Sequence, residues 1–345
     1  MRKLNINKQI LSDIVNLKTG VFFPITKFSS KKETISISNK FLSENNSFFS
    51  IPILFPISIN NKKKIEKHSN IQLFFENKFI CEIVINEFFQ INKNLVKKIY
   101  GFYDLKHPGI KNFFNIKNFY LDCEIKNFNK GLINKLNFNS PKIIKKKINN
   151  LSCAGFHTRN VPHRGHEWIH RHGEKICSKV LIQPMIGQYK IGEYNELALV
   201  KANKIAANLN KKKYIFSTFF SYPRYCGPRE ALFHAIVRKN YGCSHFLVGR
   251  DHAGYKNYFT KYSSQKLCKK FQKKIQIKII DFNEPFVCKK CKSVINKSCK
   301  NCNTAEKILI SGAKIRKLIR LNKLVAPYLM KPIIYKKIKK NSLIR

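Results

Sequence analysis

Acidic residues are scarce in this chain of 345 residues: 19 Asp and Glu stand against 67 Lys and Arg, a formal net charge of +48 at pH 7. No run of about 18 apolar residues occurs, so the sequence predicts no helix that spans a membrane. The first residues, MRKLNINK, are basic but have no apolar segment behind them, and we read no secretory signal there. A hydrophobic content of 43% with 28 Phe excludes a wholly disordered chain.

The excess of positive charge has two explanations. Clustered Lys and Arg would release counterions from a phosphate backbone, which favours a nucleic-acid binder. A drift of the composition toward Lys, Asn, Ile and Phe would instead spread the charge over the whole chain. We favour drift, because Lys greatly outnumbers Arg and the Lys triplets at 62–64, 145–147 and 211–213 stand beside Asn in segments that read as solvated loops. Arg, which binds phosphate with two parallel hydrogen bonds, is concentrated between Arg159 and Arg250.

The pattern of apolar and turn residues changes near residue 148. Before it, short apolar and aromatic runs such as 51–57 and 79–85 are broken by turn residues and favour a mostly β domain. Residues 137–150, with Pro141 and a Lys triplet, read as a linker. After it, strands predicted at 180–182, 214–217, 245–248 and 275–280 alternate with helices at 194–209 and from Gly227 onward. This alternation predicts a parallel sheet whose ligands bind beyond the carboxyl ends of the strands.

The densest group of polar residues is FHTRNVPHRGHE, residues 156–167, which ends where a helix is expected to begin. A helix N-terminus presents free N–H groups that suit phosphate. His163 and His166 are three residues apart and would share a helix face, and Gly165 would let a ligand approach the backbone. His170 and His172 follow on the same helix and read as exposed histidines.

Four of the eleven cysteines form a pattern. Cys288-x2-Cys291 and Cys299-x2-Cys302 are two knuckles that favour a structural zinc site, with free thiols as the alternative. Four thiolates leave no open position on the metal, so such a zinc ion would not be catalytic. The other seven cysteines are scattered, indicate a reducing compartment, and include the packing residues Cys153 and Cys177.

The string TRNVPHRGHE, residues 158–167, resembles the ATP sulfurylases (sulfate adenylyltransferases), a family of the nucleotidylyltransferase superfamily. The resemblance covers nearly the whole chain in the family's order. Its other segments are 101–104, 107–110, 224 with 227–231, 238–243, 248–254 and 310–316.

The resemblance implies an α/β protein. A β-rich, PUA-like domain at residues 1–148 would precede a Rossmann-like nucleotidylyltransferase catalytic domain at 149–345, which would include a small C-terminal zinc-knob subdomain at about 286–304. It also implies a cytoplasmic transferase of sulfur metabolism that converts ATP and sulfate to adenylyl sulfate (APS) and diphosphate, reversibly, so that sulfur oxidation would use it to form ATP. Mg²⁺ would accompany ATP and Zn²⁺ would be structural. A homo-oligomer is expected, without a membrane or nucleic-acid partner. The sequence contains no P-loop motif, so no fused kinase step is expected.

The family's roles fall on particular residues of this chain. Sulfate is already ionised, so the site needs no general base, but it must bring two polyanions together. We expect the charge to come from Arg159, Arg164 and Arg250, and from Arg224, Arg229 and Arg316. The catalytic residues would be Thr158, Arg159, Asn160, His163 and His166; sulfate would be held by His157, Arg159 and the backbone N–H of Ala253; and ATP would be held by Asn160, His163, His166, Gly249, Arg250, Asp251 and His252.

Two departures from the family keep other functions open. His157 stands where the family usually has Gln, and Ala313 stands where it has Thr. We expect His157→Gln to keep or raise the activity. An inactive relative acting as a scaffold is one alternative, and an RNA-binding protein that reuses the nucleotidylyltransferase core is another.

Overall fold

The computed structural model describes residues 2–65, 70–136, 138–187, 192–299, 302, 306–338 and 342–343. The chain forms two compact units. The first comprises Met1–Lys142, Phe220–Tyr241 and Asp251–Ile277, and the second comprises Ile143–Phe219, Gly242–Arg250 and Lys278–Arg345. The predicted domains are two contiguous ranges that meet at residue 148, and this division stays a prediction. Within the described ranges, no helix is long and apolar enough to cross a membrane.

The regular elements are numbered in chain order. The strands are β1 (Arg2–Asn5), β2 (Phe55–Ile57), β3 (Asn70–Phe75), β4 (Lys78–Phe89), β5 (Phe119–Lys126), β6 (Cys153–Thr158), β7 (Lys179–Gly187), β8 (Tyr214–Phe216), β9 (Phe219–Ser221), β10 (His245–Val248), β11 (Lys278–Asp281), β12 (Phe286–Cys288), β13 (Val294–Ile295) and β14 (Lys307–Leu309). The helices are α1 (Lys8–Lys18), α2 (Lys31–Lys40), α3 (Ile59–Lys63), α4 (Lys93–Tyr100), α5 (Pro108–Asn112), α6 (Pro141–Ile148), α7 (Arg164–Ile176), α8 (Glu196–Asn208), α9 (Pro228–Asn240), α10 (Ser263–Ile275), α11 (Gly312–Arg320) and α12 (Pro332–Tyr335), with a 3-10 helix at Lys130–Lys135.

The first unit contains a five-stranded sheet in the order β1-β3-β4-β5-β2. Only the β1–β3 pair is parallel among these strands. Ile71 and Leu73 of β3 and Ile83 and Ile85 of β4 are buried, which is the period of two expected where one face of a sheet is covered. Helices α1 to α5 interrupt the strands, and α9 and α10 belong to the same unit.

Part of the predicted linker at 137–150 is the helix α6. Pro141 begins it, a position where the missing N–H costs nothing, and Ile144 and Ile148 are buried. The Lys triplet at 145–147 occupies its last turn, where positive charge is favoured by the helix dipole. These lysines are exposed as expected but helical, and residue 137 lies outside the described part of the chain.

The second unit confirms the predicted parallel sheet. Its strands run in the order β11-β10-β6-β7-β8, and each neighbouring pair in this path is parallel. Ala154 and Phe156 of β6, Val180 of β7 and Leu247 of β10 lie in a core that also contains Ile169 of α7. The strand predicted at 275–280 begins only at Lys278, because α10 continues to Ile275. A separate antiparallel sheet has the order β13-β12-β14.

Candidate active site

The predicted nucleotide motifs follow two neighbouring strands of the second unit. Of the strands in this sheet, β6 comes first in the chain. It nevertheless lies in the middle of the sheet, with β7 on one side and β10 on the other. In such sheets the point where the strand order reverses leaves a crevice at the carboxyl ends, and nucleotides bind there. Residues Arg159–Asn160 follow β6, and Gly249–Arg250 follow β10. The sheet topology therefore brings these two predicted segments to one edge.

Hydrogen bonds fix the loop after β6. The Asn160 N–H donates to Thr158 Oγ1 at 3.0 Å. Arg316 Nη1 donates to Asn160 Oδ1 at 2.5 Å, which places the late motif on α11 against the loop. Asn203 Nδ2 donates to the Asn160 carbonyl oxygen at 3.2 Å. Asn203 is fully buried on α8 and was missed by the sequence reasoning, which had only an Ala- and Leu-rich helix to read.

Two further predicted residues occupy this edge of the sheet. His157 and Arg159 are half-buried at and just after the end of β6. The His157 ring lies 6.1 Å from the Phe219 ring, measured between centroids. Both side chains therefore stand at the carboxyl end of β6, where the sulfate-binding residues were expected.

His163 and His166 stack at the start of α7. Their ring centroids are 3.7 Å apart, and the His163 side chain caps the helix by accepting a hydrogen bond from the His166 N–H at 3.3 Å. Burial lowers the pKa of His166 to about 4. Burial, and then the nearby His166, lower the pKa of His163 well below its ordinary value. Both imidazoles are neutral at pH 7, so each offers one N–H donor rather than a positive charge.

Gly165 has a packing role besides the one predicted. A Cβ atom at this residue would lie 3.2 Å from Cε1 and Nδ1 of His163 and 3.5 Å from Cγ of Pro285. The glycine therefore makes room for the stacked His163 ring. Approach of a ligand to its backbone stays a prediction.

The prediction of an exposed His170 was also wrong. Its side chain is 1% exposed, because α7 turns this residue toward Phe156 of β6, whose ring centroid is 4.5 Å away. Burial lowers the pKa of His170 to about 3. Its Nε2 atom has no hydrogen-bond partner among the residues that the structure describes. His172 is half-buried and stacks on Trp168.

Arg250 forms an ion pair with Glu284 in the second unit. Both side chains are about one-third exposed. Because the carboxylate offsets the guanidinium, the loop after β10 adds little net charge here. That balance suits a neutral nucleoside better than a phosphate group.

Asp251, His252 and Ala253 belong to the first unit, where His252 ends a chain of buried polar groups. His252 Nε2 lies 3.0 Å from His234 Nδ1, and His234 Nε2 lies 3.7 Å from Glu230 Oε1. The Glu230 carboxylate accepts hydrogen bonds from the backbone N–H groups of Arg224 and Cys226, at 2.9 and 3.0 Å. The 3.0 Å hydrogen bond with His234 can fix the orientation of the His252 ring, and the Glu230 carboxylate supplies negative charge beside His234. Sequence reasoning missed Glu230 and His234, although their spacing of four on α9 was a signal.

Ala253 is in the left-handed region with φ of 61°. A non-glycine residue pays an energetic cost there, and such strain persists only where the surroundings hold it. The Ser264 hydroxyl, which donates to the His252 carbonyl oxygen at 2.8 Å, is one such restraint.

Three of the arginines expected to supply charge to the substrates are used within the protein. Arg224 is 2% exposed and pairs with Asp13 at 2.5 Å. Arg229 donates to the carbonyl oxygens of Ile37, Ser38 and Ser50. Arg164 donates to the Pro327 carbonyl oxygen at 2.8 Å and pairs with Glu167 at 3.1 Å. The predicted role of Arg224 and Arg229 was wrong, because both are buried and occupied by these partners. The role of Arg164, whose side chain is 27% exposed, stays a prediction.

The four knuckle cysteines lie together. The Sγ atoms of Cys288, Cys291, Cys299 and Cys302 all lie within 4.8 Å of one another. Those of Cys291 and Cys299 are 3.7 Å apart. Zinc–sulfur bonds of about 2.3 Å at tetrahedral angles would set the sulfur atoms about 3.8 Å apart. The thiols therefore fit such an ion. Residues 300, 301, 303 and 304 of the predicted knob lie outside the described residues.

Two of these thiols have shifted acidity. Hydrogen bonds from Ser293 lower the pKa of Cys291 to about 6. A hydrogen bond with Cys291 raises the pKa of Cys302 to about 12. The remaining cysteines are buried, including Cys153 and Cys177, which confirms their prediction as packing residues.

Comparisons with known proteins identify the family. The sequence profile of the ATP-sulfurylase family matches residues 138–341, and that of the PUA-like domain matches residues 1–130. The chain is 32% identical to the sulfate adenylyltransferase of Ignicoccus hospitalis, over 96% of this chain and 88% of that protein. It is 29% identical to that of Pyrococcus abyssi, over 98% of this chain and 90% of that protein.

A solved structure, the hexameric APS kinase from Thiobacillus denitrificans, shares the fold with a TM-score of 0.73 at 14% identity. The alignment covers 98% of this chain but 62% of that one, so the chain spans less than two thirds of that protein's length. The family profile covers more than half of the sequence, and the chain therefore belongs to the ATP-sulfurylase family.

Proposed function

We propose that this protein is a sulfate adenylyltransferase, which transfers the adenylyl group of ATP to sulfate and releases diphosphate. The observation that carries the proposal is the convergence of the loops after β6 and β10 at the point where the strand order of the parallel sheet reverses. The residues of the first loop offer amide, guanidinium and imidazole donors. A site for two anions needs such donors and has little use for carboxylates.

The reaction is a direct displacement at phosphorus. A sulfate oxygen forms a bond to the α-phosphorus of ATP while the bond from that phosphorus to the leaving diphosphate oxygen breaks. The protein contributes by positioning the two anions and stabilising the charge that spreads onto diphosphate. Arg159 would hold sulfate, with His157 as a second donor. Arg316 restrains the Asn160 side chain, which would contact the ATP phosphates.

Neutral imidazoles at His163 and His166 would act as hydrogen-bond donors to the phosphates. Their low pKa values mean that binding ATP does not require them to lose a proton at pH 7. Arg250, already balanced by Glu284, would lie near the neutral adenosine. The roles of Asp251, His252 and Ala253 toward ATP and sulfate stay as predicted from the family resemblance.

The remaining parts of the proposal are the organisation and the metals. The chain would consist of a β-rich, PUA-like domain at 1–148 and a Rossmann-like catalytic domain at 149–345, and it would form a homo-oligomer in the cytoplasm. Mg²⁺ would enter with ATP and neutralise part of the phosphate charge. Zn²⁺ held by Cys288, Cys291, Cys299 and Cys302 would stabilise the knob without taking part in the reaction, because four thiolates fill its coordination positions.

The activity is tested by sulfate-dependent exchange of labelled pyrophosphate into ATP. Wild-type protein should catalyse the exchange only when sulfate and Mg²⁺ are present. Arg159→Ala should reduce it by at least about a hundredfold, as removal of a single transition-state hydrogen-bond donor does elsewhere. Arg320→Ala, which removes an exposed arginine of α11, is the matched control and should keep the wild-type rate.

The RNA-binding alternative is tested on the same preparation by titration with single-stranded RNA at several salt concentrations. Weak binding that disappears with salt is expected from net charge alone. Absence of exchange together with tight RNA binding would overturn the proposal. Absence of both would favour the inactive scaffold.

A further inference from the structure

A second face of α7 lines a cavity that the proposed reaction does not use. The cavity has a volume of about 470 Å³, within the range of about 300–1,000 Å³ that is usual for small-molecule sites. Its walls come from three parts of the second unit: α7, the turn between β12 and β13, and the segment before Met330. The lining residues that matter here are Arg164, Glu167, Trp168, Arg171, Lys292 and Tyr328.

The lining carries more positive charge than its own carboxylate can balance. Glu167 is paired with Arg164 at 3.1 Å and with Lys331 at 3.4 Å, so it is already neutralised. Arg171 is exposed, and no hydrogen-bond or ion-pair partner of its guanidinium lies among the described residues. Lys292 Nζ lies 5.3 Å from the centroid of the Tyr328 ring. Arg171 and Lys292 therefore present two positive groups that suit an anion.

Aromatic rings form another part of the same cavity. Trp168 stacks on His172 with centroids 5.2 Å apart, and Phe282 packs against it at 5.9 Å, so the indole is held in place. The ring of Tyr328 stands on another wall. Rigid aromatic surface beside guanidinium and ammonium groups favours a flat ring that carries negative charge.

We propose that this cavity binds a small aromatic anion of the nucleoside monophosphate class. Its ring would lie against Trp168 and Tyr328, and its phosphate would contact Arg171 and Lys292. Arg164, Trp168 and Arg171 are spaced four and three residues apart and share one face of α7, whereas His163 and His166 begin a different face. The site is therefore separate from the strand ends at which ATP would bind.

The chain contains a single tryptophan, Trp168, so intrinsic tryptophan fluorescence reports on this cavity alone. Titration of the full-length protein with 5′-AMP should change the emission in a saturable manner, and adenosine or inorganic phosphate alone should bind more weakly. Arg171→Ala should weaken AMP binding by about tenfold or more, as expected for loss of a charged hydrogen-bond donor. Arg320→Ala is the matched control and should leave the affinity unchanged.

Because AMP can also enter the ATP site, Arg250→Ala separates the two locations. The fluorescence titration of Arg250→Ala should match that of the wild type. Loss of the response in Arg250→Ala, or an unchanged affinity in Arg171→Ala, would overturn the proposal. The pyrophosphate exchange assay gives a separate readout, since Arg171→Ala should retain exchange whether or not AMP binds.

Discussion

His163, His166 and His170 differ from ordinary surface histidines because the fold buries the His170 imidazole and partly buries the other two, so that a charge there is poorly solvated. His163 caps α7, and His166 and His170 lie in its first two turns, a grouping that was visible in the sequence. Burial lowers the pKa of each of them, so the helix contributes neutral donors at pH 7. The positive charge of the proposed site would then come from Arg159 and Arg316, a distinction that depends on packing.

His170 makes stability depend on pH. Its pKa is about 3 in the folded protein and about 6.5 in the unfolded chain. Between these values only the unfolded chain binds the proton, so the free energy of unfolding falls as the pH is lowered through this window. His170→Phe should reduce the slope by about 1.4 kcal/mol per pH unit, measured by urea unfolding between pH 4 and 6.

The control for His170 is Phe156→Leu, which removes the packed ring without removing a titrating group. This variant should lower stability by a similar amount at each pH. An unchanged slope in His170→Phe would show that the imidazole is accessible to protons in the folded state.

His234 is predicted to position His252. His234→Leu breaks the 3.0 Å contact between the rings and leaves Glu230 without its imidazole neighbour. We expect kcat/KM for ATP to fall by about ten- to a hundredfold, the cost of losing a buried hydrogen bond to a functional group. His234→Gln keeps a polar group able to donate or accept and should recover part of the loss. Equal activity of His234→Leu and the wild type would exclude a positioning role.

The sequence identified more of the site's residues than of the contacts that hold them. Thr158, Asn160 and Arg316 were readable because the family motif surrounds them, and the structure joins them by hydrogen bonds. Glu230 and His234 escaped notice because their role depends on which loop packs beside α9. Their spacing of four marked one face of α9 but not the loop beside it, because long-range packing leaves no local pattern. The same reason explains the wrong role given to Arg224.

At the scale of elements, the sequence predicted whether a segment is a helix or a strand better than it predicted where the element begins and ends. The helix after Gly227 begins at Pro228 as expected, since proline suits the first turn. The strand predicted at 275–280 begins later than expected. Ile275 is buried at the end of α10 and Ile277 in the turn that follows, so neither apolar residue belongs to the strand. Short apolar runs do not separate these cases.

The small sheet β13-β12-β14 is expected to depend on the zinc ion proposed for the four cysteines. Cys288 ends β12, and its N–H donates to the Ser293 carbonyl oxygen at 2.8 Å, so the knuckle continues the strand. Cys299→Ser should lower the zinc content well below one ion per chain and speed amide exchange in β12 and β14. Metal analysis of protein purified under reducing conditions and hydrogen exchange measure these effects. Cys177→Ser should keep its zinc, and a wild-type protein without zinc would contradict the assignment.

At the scale of the whole molecule, the charge of +48 destabilises the compact state through self-repulsion. The Debye length is about 30 Å at 0.01 M salt and about 8 Å at 0.15 M, so added salt screens most of this repulsion. The buried pair of Arg224 and Asp13 is shielded from salt and should hardly respond. The Tm should therefore rise by several degrees when NaCl is raised over this range. Sodium sulfate is unsuitable, because a substrate stabilises the folded state by binding.

The exposed Lys triplet of α6 tests whether the effect comes from net charge. Replacing Lys145, Lys146 and Lys147 by Gln removes three positive charges and should reduce the rise of Tm with NaCl. Replacing the same three residues by Arg keeps the charge and should keep the full rise. A wild-type Tm that falls with NaCl would mean that surface ion pairs outweigh repulsion. With only 19 acidic residues available to form such pairs, repulsion should dominate.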